Sequence, residues 1–161
     1  MRGLSFTADN ELYAVDVTLV QKVARKLAIT PVPSSPSEVV GIANLKGRVI
    51  TVLSLGKILD NNKQCEAERY INTIVFKSLG GSEDQVGLAV ERPGNLIEID
   101  AGDIRPPPVT ASQEGNFCIS GVAETDGTFY RIIDIGSIQR KFIPGSDTYS
   151  GNSSFGGTES E

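Results

Sequence analysis

Gly41-Ile42-Ala43-Asn44-Leu45-Lys46-Gly47 lies, without a gap, over Gly121-Val122-Ala123-Glu124-Thr125-Asp126-Gly127 further along the same chain. The match continues past both glycines. Val52, Leu53, Leu55, Gly56 and Ile58 fall on Ile132, Ile133, Ile135, Gly136 and Ile138. Each copy has a hairpin glycine, an alternating strand and a glycine that opens a helical turn. A proline-rich segment precedes each copy, Pro31 to Pro36 and Pro106 to Pro108. The simplest physical reading is two similar small β-barrels related by pseudo-twofold symmetry. Each is too small for an ample core of its own, so the two should pack together and share apolar surface.

The rest of the chain fits an all-β domain. Short apolar runs bounded by Gly, Pro and Asp recur throughout. Gly3 to Ala8 and Leu12 to Val17 read as a hairpin across Asp9-Asn10-Glu11. Arg48 to Leu55, Tyr70 to Ser78, Gln85 to Glu91 and Leu96 to Ile99 read as strands. Phe117 to Glu124 and Phe129 to Ile135 form a hairpin across Asp126-Gly127, a strong turn signal. Thr18 to Leu27 carries apolar residues at Leu19, Val20, Val23 and Leu27, a spacing that predicts a helix. Short helical turns are expected at Ser37 to Val40 and Gly56 to Leu59, and a terminal helix at Ser137 to Phe142. The expected organisation is one folded unit over 1–143, with a first barrel at about 10–68 and a second at about 70–136, exchange of terminal strands being left open. Residues 144–161 are Gly-, Ser- and Thr-rich with acidic residues at the end, and are expected to be a disordered tail.

Composition narrows the chemistry. The formal net charge is −5 and no run of Lys and Arg supplies a basic stripe, so nucleic acid is not an expected partner. The N-terminus has no basic segment followed by an apolar run, so no signal peptide is expected. No apolar stretch approaches the roughly 20 residues of a membrane span. Cys65 and Cys118 are far apart and outside any Cys-x-x-Cys pattern, which disfavours a disulfide framework or a zinc site. Both read as reduced thiols of a cytoplasmic protein, Cys118 in an apolar strand. The chain contains 0 histidines, which removes Ser-His-Asp and Cys-His mechanisms. Glu98, Asp100 and Asp103 read as solvated surface acids. Gly80-Gly81-Ser82 is not a phosphate loop, because no Gly-Lys-Ser/Thr follows. No catalytic residue, metal site or cofactor is expected.

The segment Gly41-Ile42-Ala43-Asn44-Leu45-Lys46-Gly47-Arg48-Val49-Ile50-Thr51-Val52-Leu53-Ser54-Leu55 resembles the central signature of the CheW family of bacterial chemotaxis coupling proteins. Leu12 to Val17 followed by Val20-Gln21-Lys22-Val23 resembles the family's upstream segment. Val86 to Val90, Ile104 to Pro108, Ser120-Gly121-Val122 and Ile132 to Ile135 resemble the later ones, in order. The resemblance implies two five-stranded SH3-like barrels around a shared core. It also implies a non-catalytic adaptor that joins the regulatory domain of a histidine kinase to the cytoplasmic tips of chemoreceptors.

The same resemblance assigns candidate residues. Val20, Val23, Gly41, Leu45 and Lys46 would face the receptor, Val20 and Val23 lining a groove for its helical hairpin. Arg48, Val49 and Thr51 would face the kinase along a barrel edge. Against these stand plainer readings. Leu19 and Leu27 belong in the core; Gly41 and Gly47 serve backbone conformation; Asn44 braces its own turn. Three departures from the usual family pattern are visible. Lys46 replaces an arginine, Lys22 stands where an acid is common, and Pro93-Gly94 predicts an added turn. Two alternatives remain: the same adaptor in a pilus-motility or other chemosensory-like pathway, and a small-molecule-binding β-barrel, which would need a polar pocket.

Overall fold

The computed structural model describes residues 1–59, 71–78, 84–107 and 116–143. The period-2 apolar runs become strands. In chain order they are β1 (Arg2–Ala8), β2 (Glu11–Asp16), β3 (Val20–Arg25), β4 (Val39–Leu45), β5 (Arg48–Ser54), β6 (Asn72–Phe76), β7 (Gln85–Val90), β8 (Arg92–Glu98), β9 (Ile104–Arg105), β10 (Ile119–Thr125) and β11 (Thr128–Ile133). Two helices follow β5 and β11, α1 (Leu55–Leu59) and α2 (Ile135–Phe142). The strands form two sheets. A terminal sheet has the order β8-β1-β2-β11-β10-β9, and a central sheet the order β3-β6-β7-β5-β4. The fold is therefore all-β with two sheets. Sheet membership cuts across the spans of about 10–68 and 70–136, because β1 and β2 join the C-terminal strands while β7 joins the first-half strands.

The sequence repeat is a structural repeat. Gly41 pairs with Val52 and Ala43 with Ile50 in the β4–β5 hairpin; Gly121 pairs with Ile132 and Ala123 with Tyr130 in β10–β11. Strand β5 runs parallel to β7, as β11 runs parallel to β2. Thr30 bridges to Ile42 where Arg105 pairs with Val122. Even the helix starts correspond: Ser54 Oγ accepts from the Lys57 amide at 3.3 Å, and Asp134 Oδ1 from the Ser137 amide at 3.3 Å. Both hairpin turns have two residues at positive φ, Lys46 (54°) with Gly47 (84°) and Asp126 (52°) with Gly127 (79°). That is the type I′ geometry that matches strand twist.

Gly41 and Gly121 have a different job. A Cβ on Gly121 would sit 2.7 Å from both the Arg105 carbonyl oxygen and Ile104 Cγ2. One on Gly41 would overlap the Thr30 carbonyl oxygen and lie 2.8 Å from Ile29 Cγ2. Each glycine lets a neighbouring chain cross the hairpin closely.

Both sheets curl. In the central sheet, Arg25 pairs with Asn72 at one edge, and Thr30 pairs with Ile42 beyond the other. Five strand spacings in a flat sheet would be about 24 Å, but the connecting residues reach at most about 18 Å. In the terminal sheet, Thr125 Oγ1 on β10 donates to the Glu98 carbonyl on β8 at 3.4 Å, although β1, β2 and β11 separate those strands in the sheet order.

Curling gives each sheet an inner and an outer face. The inner faces hold small clusters: Ala43, Ile50, Val52, Val75 and Ala89 in one, Ala14, Ile99, Ala123 and Ile132 in the other. The outer faces meet in the largest cluster. Phe6, Tyr13 and Val15 come to it from the terminal sheet, and Leu53, Ile74, Phe76, Val86 and Leu88 from the central sheet. Ile58 of α1 and Ile138 of α2 cap it. Strand β7, buried at every position, has one face in each cluster.

Several expectations are corrected. Thr18 to Leu27 is not a helix: Val17–Leu19 is a single 3₁₀ turn and Val20–Arg25 is strand β3. A register shift between Val20 and Lys22 puts Val20 opposite Phe76 and Val23 opposite Ile74, on one face. This bulge gives a strand the i, i+3 spacing of a helix. Leu19, expected in the core, is 41% exposed. Val39 and Val40 open β4 rather than a helical turn. Pro93-Gly94 makes no turn; it lies within β8, an edge strand, where proline is tolerated. A register shift there places Leu96 opposite Leu4 but Pro93 opposite Phe6. Asn116–Cys118 is a 3₁₀ turn, with Cys118 buried in the shared cluster rather than in a strand. Residues 60–70 and the expected tail 144–161 lie outside the described residues.

Gly41→Ala and Gly121→Ala should each lower stability by about 2 kcal/mol or more, because backbone rather than a movable side chain fills the space. Gly102→Ala, with nothing within 4 Å, should stay within about 0.5 kcal/mol of the parent. Denaturant melts followed by circular dichroism measure both.

Candidate protein-docking surfaces

All eight candidate contact residues lie on the central sheet or its hairpin turn. Two rows of side chains on its outer face organise them. One row runs Val23, Ile74, Leu88, Leu53, Val39 across β3, β6, β7, β5 and β4. Its middle three residues are fully buried in the shared cluster, while Val23 at the end is 37% exposed. The neighbouring row starts at Val20, opposite Phe76, and ends with Val86, Thr51 and Ile42. Val20 is half-buried and packs against the shared cluster. Val20 and Val23 are thus the fringe of the shared core, where the terminal sheet no longer covers the central one. Leu19 extends this apolar fringe.

The second surface is the outward side of the β4–β5 hairpin. There Asn44 pairs with Val49 and Ile42 with Thr51. Val49 is 51% exposed. Alternation along β5 forces this, since Ile50 and Val52 are buried inside the curl. Arg48 and Lys46 are exposed at the turn end. Asn44 Oδ1 accepts from the Gly47 amide at 2.9 Å, which braces the turn.

The candidate receptor-facing set therefore divides. Val20 and Val23 sit on β3, at one edge of the sheet; Gly41, Leu45 and Lys46 sit with β4, at the other. Gly41 is buried and presents no surface. Leu45 is half-buried against the inner cluster with Leu27 and Ile29. Lys46 alone of the three is fully offered to solvent. Leu19, expected in the core, and Ile42, not among the expected contacts, are the further exposed apolar residues on these surfaces. The alternation of Ile42 with buried Ala43 is the signal that marks it as outward-facing. The repeat also carries an unexpected counterpart: Phe129, at the position equivalent to Val49, is 59% exposed.

The interior offers little chemistry. Burial pushes the Cys118 thiol up to about 12, so it is neutral and unreactive at neutral pH. Glu98 is held in an exposed ion pair with Arg2, at 2.7 Å. Among the described residues no cluster of three His, Cys, Asp or Glu could hold a metal ion. No helix among them is long and apolar enough to cross a membrane. The buried polar side chains are structural. Gln85 Nε2 donates to the Phe76 carbonyl at 2.9 Å and to Gln21 Oε1. Gln139 Nε2 of α2 donates to the Lys77 carbonyl at 3.1 Å, tying the C-terminal helix to the end of β6.

This architecture is shared with known proteins. The family model described as a CheW-like domain matches residues 2–141. The chemotaxis protein CheW of Thermotoga maritima is 32% identical over 135 residues, covering 84% of this chain and 85% of that protein. That of Treponema pallidum is 24% identical over 134 residues, covering 82% and 78%. The crystal structure of the scaffolding protein TtCheW from Thermoanaerobacter tengcongensis is similar with a TM-score of 0.70 at 32% identity, over 82% of this chain and 87% of that one. With two curled sheets, a shared core and a family match across nearly all described residues, the chain belongs to the CheW-like domain family.

Proposed function

We propose that this chain is a non-catalytic cytoplasmic adaptor that couples a chemotaxis histidine kinase to the cytoplasmic tips of chemoreceptors. The carrying observation is two separate exposed apolar surfaces at opposite edges of one rigid sheet, the Val20–Val23 fringe and the Val49 face. An adaptor needs two such faces; an enzyme needs convergent reactive groups. The relatives' names, chemotaxis protein and scaffolding protein, support the same reading. The fringe of the shared core, with Lys46 and Leu45 at the far edge, would receive the receptor's helical hairpin. Arg48, Val49 and Thr51 would receive the regulatory domain of the kinase. Gly41 contributes by allowing the close crossing that shapes the hairpin.

Single substitutions should separate the two contacts. Val23→Asp should weaken receptor-tip binding by about tenfold or more and leave kinase binding intact; Val49→Asp should do the reverse. Sedimentation of the ternary mixture reads both. Loss of both partners together, or of neither, would contradict two distinct surfaces. Lys46→Asn adds a discriminating case. Lys46 sits at φ 54°, where asparagine is easier to hold than lysine. The variant should be more stable by about 0.5 kcal/mol and yet bind the receptor tip less well. A binding defect with a raised melting temperature cannot be a folding defect.

A further inference from the structure

The two sheets carry opposite charge. Residues 17–59, 71–78 and 84–90, which build the central sheet and α1, hold seven Lys and Arg against two Asp and Glu, a net of +5. Residues 1–16, 91–107 and 116–143, which build the terminal sheet and α2, hold six against ten, a net of −4. The overall charge of −5 conceals this division.

The fold does not require it. The two hairpin turns have nearly the same backbone, with φ of 54° and 84° in one and 52° and 79° in the other. Yet Lys46 and Arg48 stand at one tip, and Glu124 and Asp126 at the other. Internal pairing does not require it either. Lys22, Arg25, Lys26, Lys46 and Arg48 are all exposed, and none has a carboxylate partner among the described residues. On the terminal sheet, by contrast, Arg2 is paired with Glu98 and Arg131 with Glu11. Five exposed cations with no carboxylate partner among the described residues, on the half that carries both apolar surfaces, repel one another. Such charge is useful when a partner of opposite sign arrives.

We infer that the segment received by the receptor-facing fringe is acidic: a helical tip whose carboxylates are drawn in by the cationic half, with Lys22 on β3, on the face opposite Val20 and Val23, and Lys46 on the β4–β5 turn as the exposed steering charges. This rests on the adaptor reading above and specifies the partner's chemistry. The field orients the encounter, since the acidic half turns away from such a partner while the cationic half turns toward it. The apolar fringe then supplies the dry contact.

The test uses the full chain, the receptor-tip fragment from the same genome and a double charge reversal, Lys22→Glu with Lys46→Glu. Binding is followed by fluorescence anisotropy at low and high salt, with the Debye length falling from roughly 10 Å to 3 Å between 0.1 M and 1 M. The reversal should weaken binding at least about tenfold at low salt, and the gap should close at high salt. Glu124→Lys with Asp126→Lys on the other hairpin should change affinity by no more than about twofold. If the wild type binds and the Lys22/Lys46 reversal leaves affinity unchanged, the acidic-partner inference is overturned and the adaptor reading stands. If the wild type binds neither receptor tip nor kinase, both fall. If the chain alone self-associates at low salt and the reversal abolishes this, the occupant is the acidic half of a second copy, and the inference is wrong.

Discussion

Everything in this molecule depends on one apolar contact, the meeting of the two sheets' outer faces. Each sheet curls around an inner cluster of only four or five buried apolar residues, four of them alanine across the two. At about 1.5–3 kcal/mol for each large side chain buried, such clusters cannot offset the entropy of ordering their own strands. The shared cluster holds most of the large side chains, Phe6, Phe76, Leu53, Leu55, Ile74, Leu88 and Ile138 among them. Neither sheet is therefore expected to stand alone. The crossing of chain segments between the sheets, with β2 leading into β3 and β7 into β8, enforces the same coupling through the backbone.

That contact also makes the candidate site. The rows of the central sheet are buried where the terminal sheet covers them and exposed where it stops. Val20 and Val23 are apolar because their two rows are core rows, and accessible because they end them. The Val49 face arises differently, from strict alternation in a hairpin whose inner residues fill the curl. One sheet thus presents two apolar surfaces at its two edges, held at a fixed separation by packed strands. A scaffold that must hold two partners in register needs that rigidity. The pseudo-twofold repeat supplies a second hairpin surface on the terminal sheet, with Phe129 in place of Val49 and the opposite charge at the turn.

Much of this was legible in the residues. The Gly41 and Gly121 segments matched in sequence because both need a close backbone crossing and a type I′ turn, and these demands fall on specific residues. The β1–β2 and β10–β11 hairpins were legible for the same reason. Strand β3 was not. Its bulge shifts the side-chain period from two to three across Gln21 and Lys22, which is what a helix would show. The bulge opposite Leu4 hid the length of β8 behind Pro93-Gly94. The division of the candidate receptor-facing residues between two sheet edges was also hidden, because strand order within a sheet is set by long-range pairing that no local pattern encodes. Leu19 was misplaced because its exposure depends on where the terminal sheet ends.

The most direct test of the coupling is native-state hydrogen exchange on Leu88→Ala, which removes a buried side chain at the centre of the shared cluster. Truncation there should cost about 2–5 kcal/mol. Coupling through the shared core predicts that the slowest amides of both sheets, those around Val52 and those around Ile132, lose protection by the same amount. Loss confined to the central sheet, with the terminal sheet still exchanging at its original rate, would contradict it.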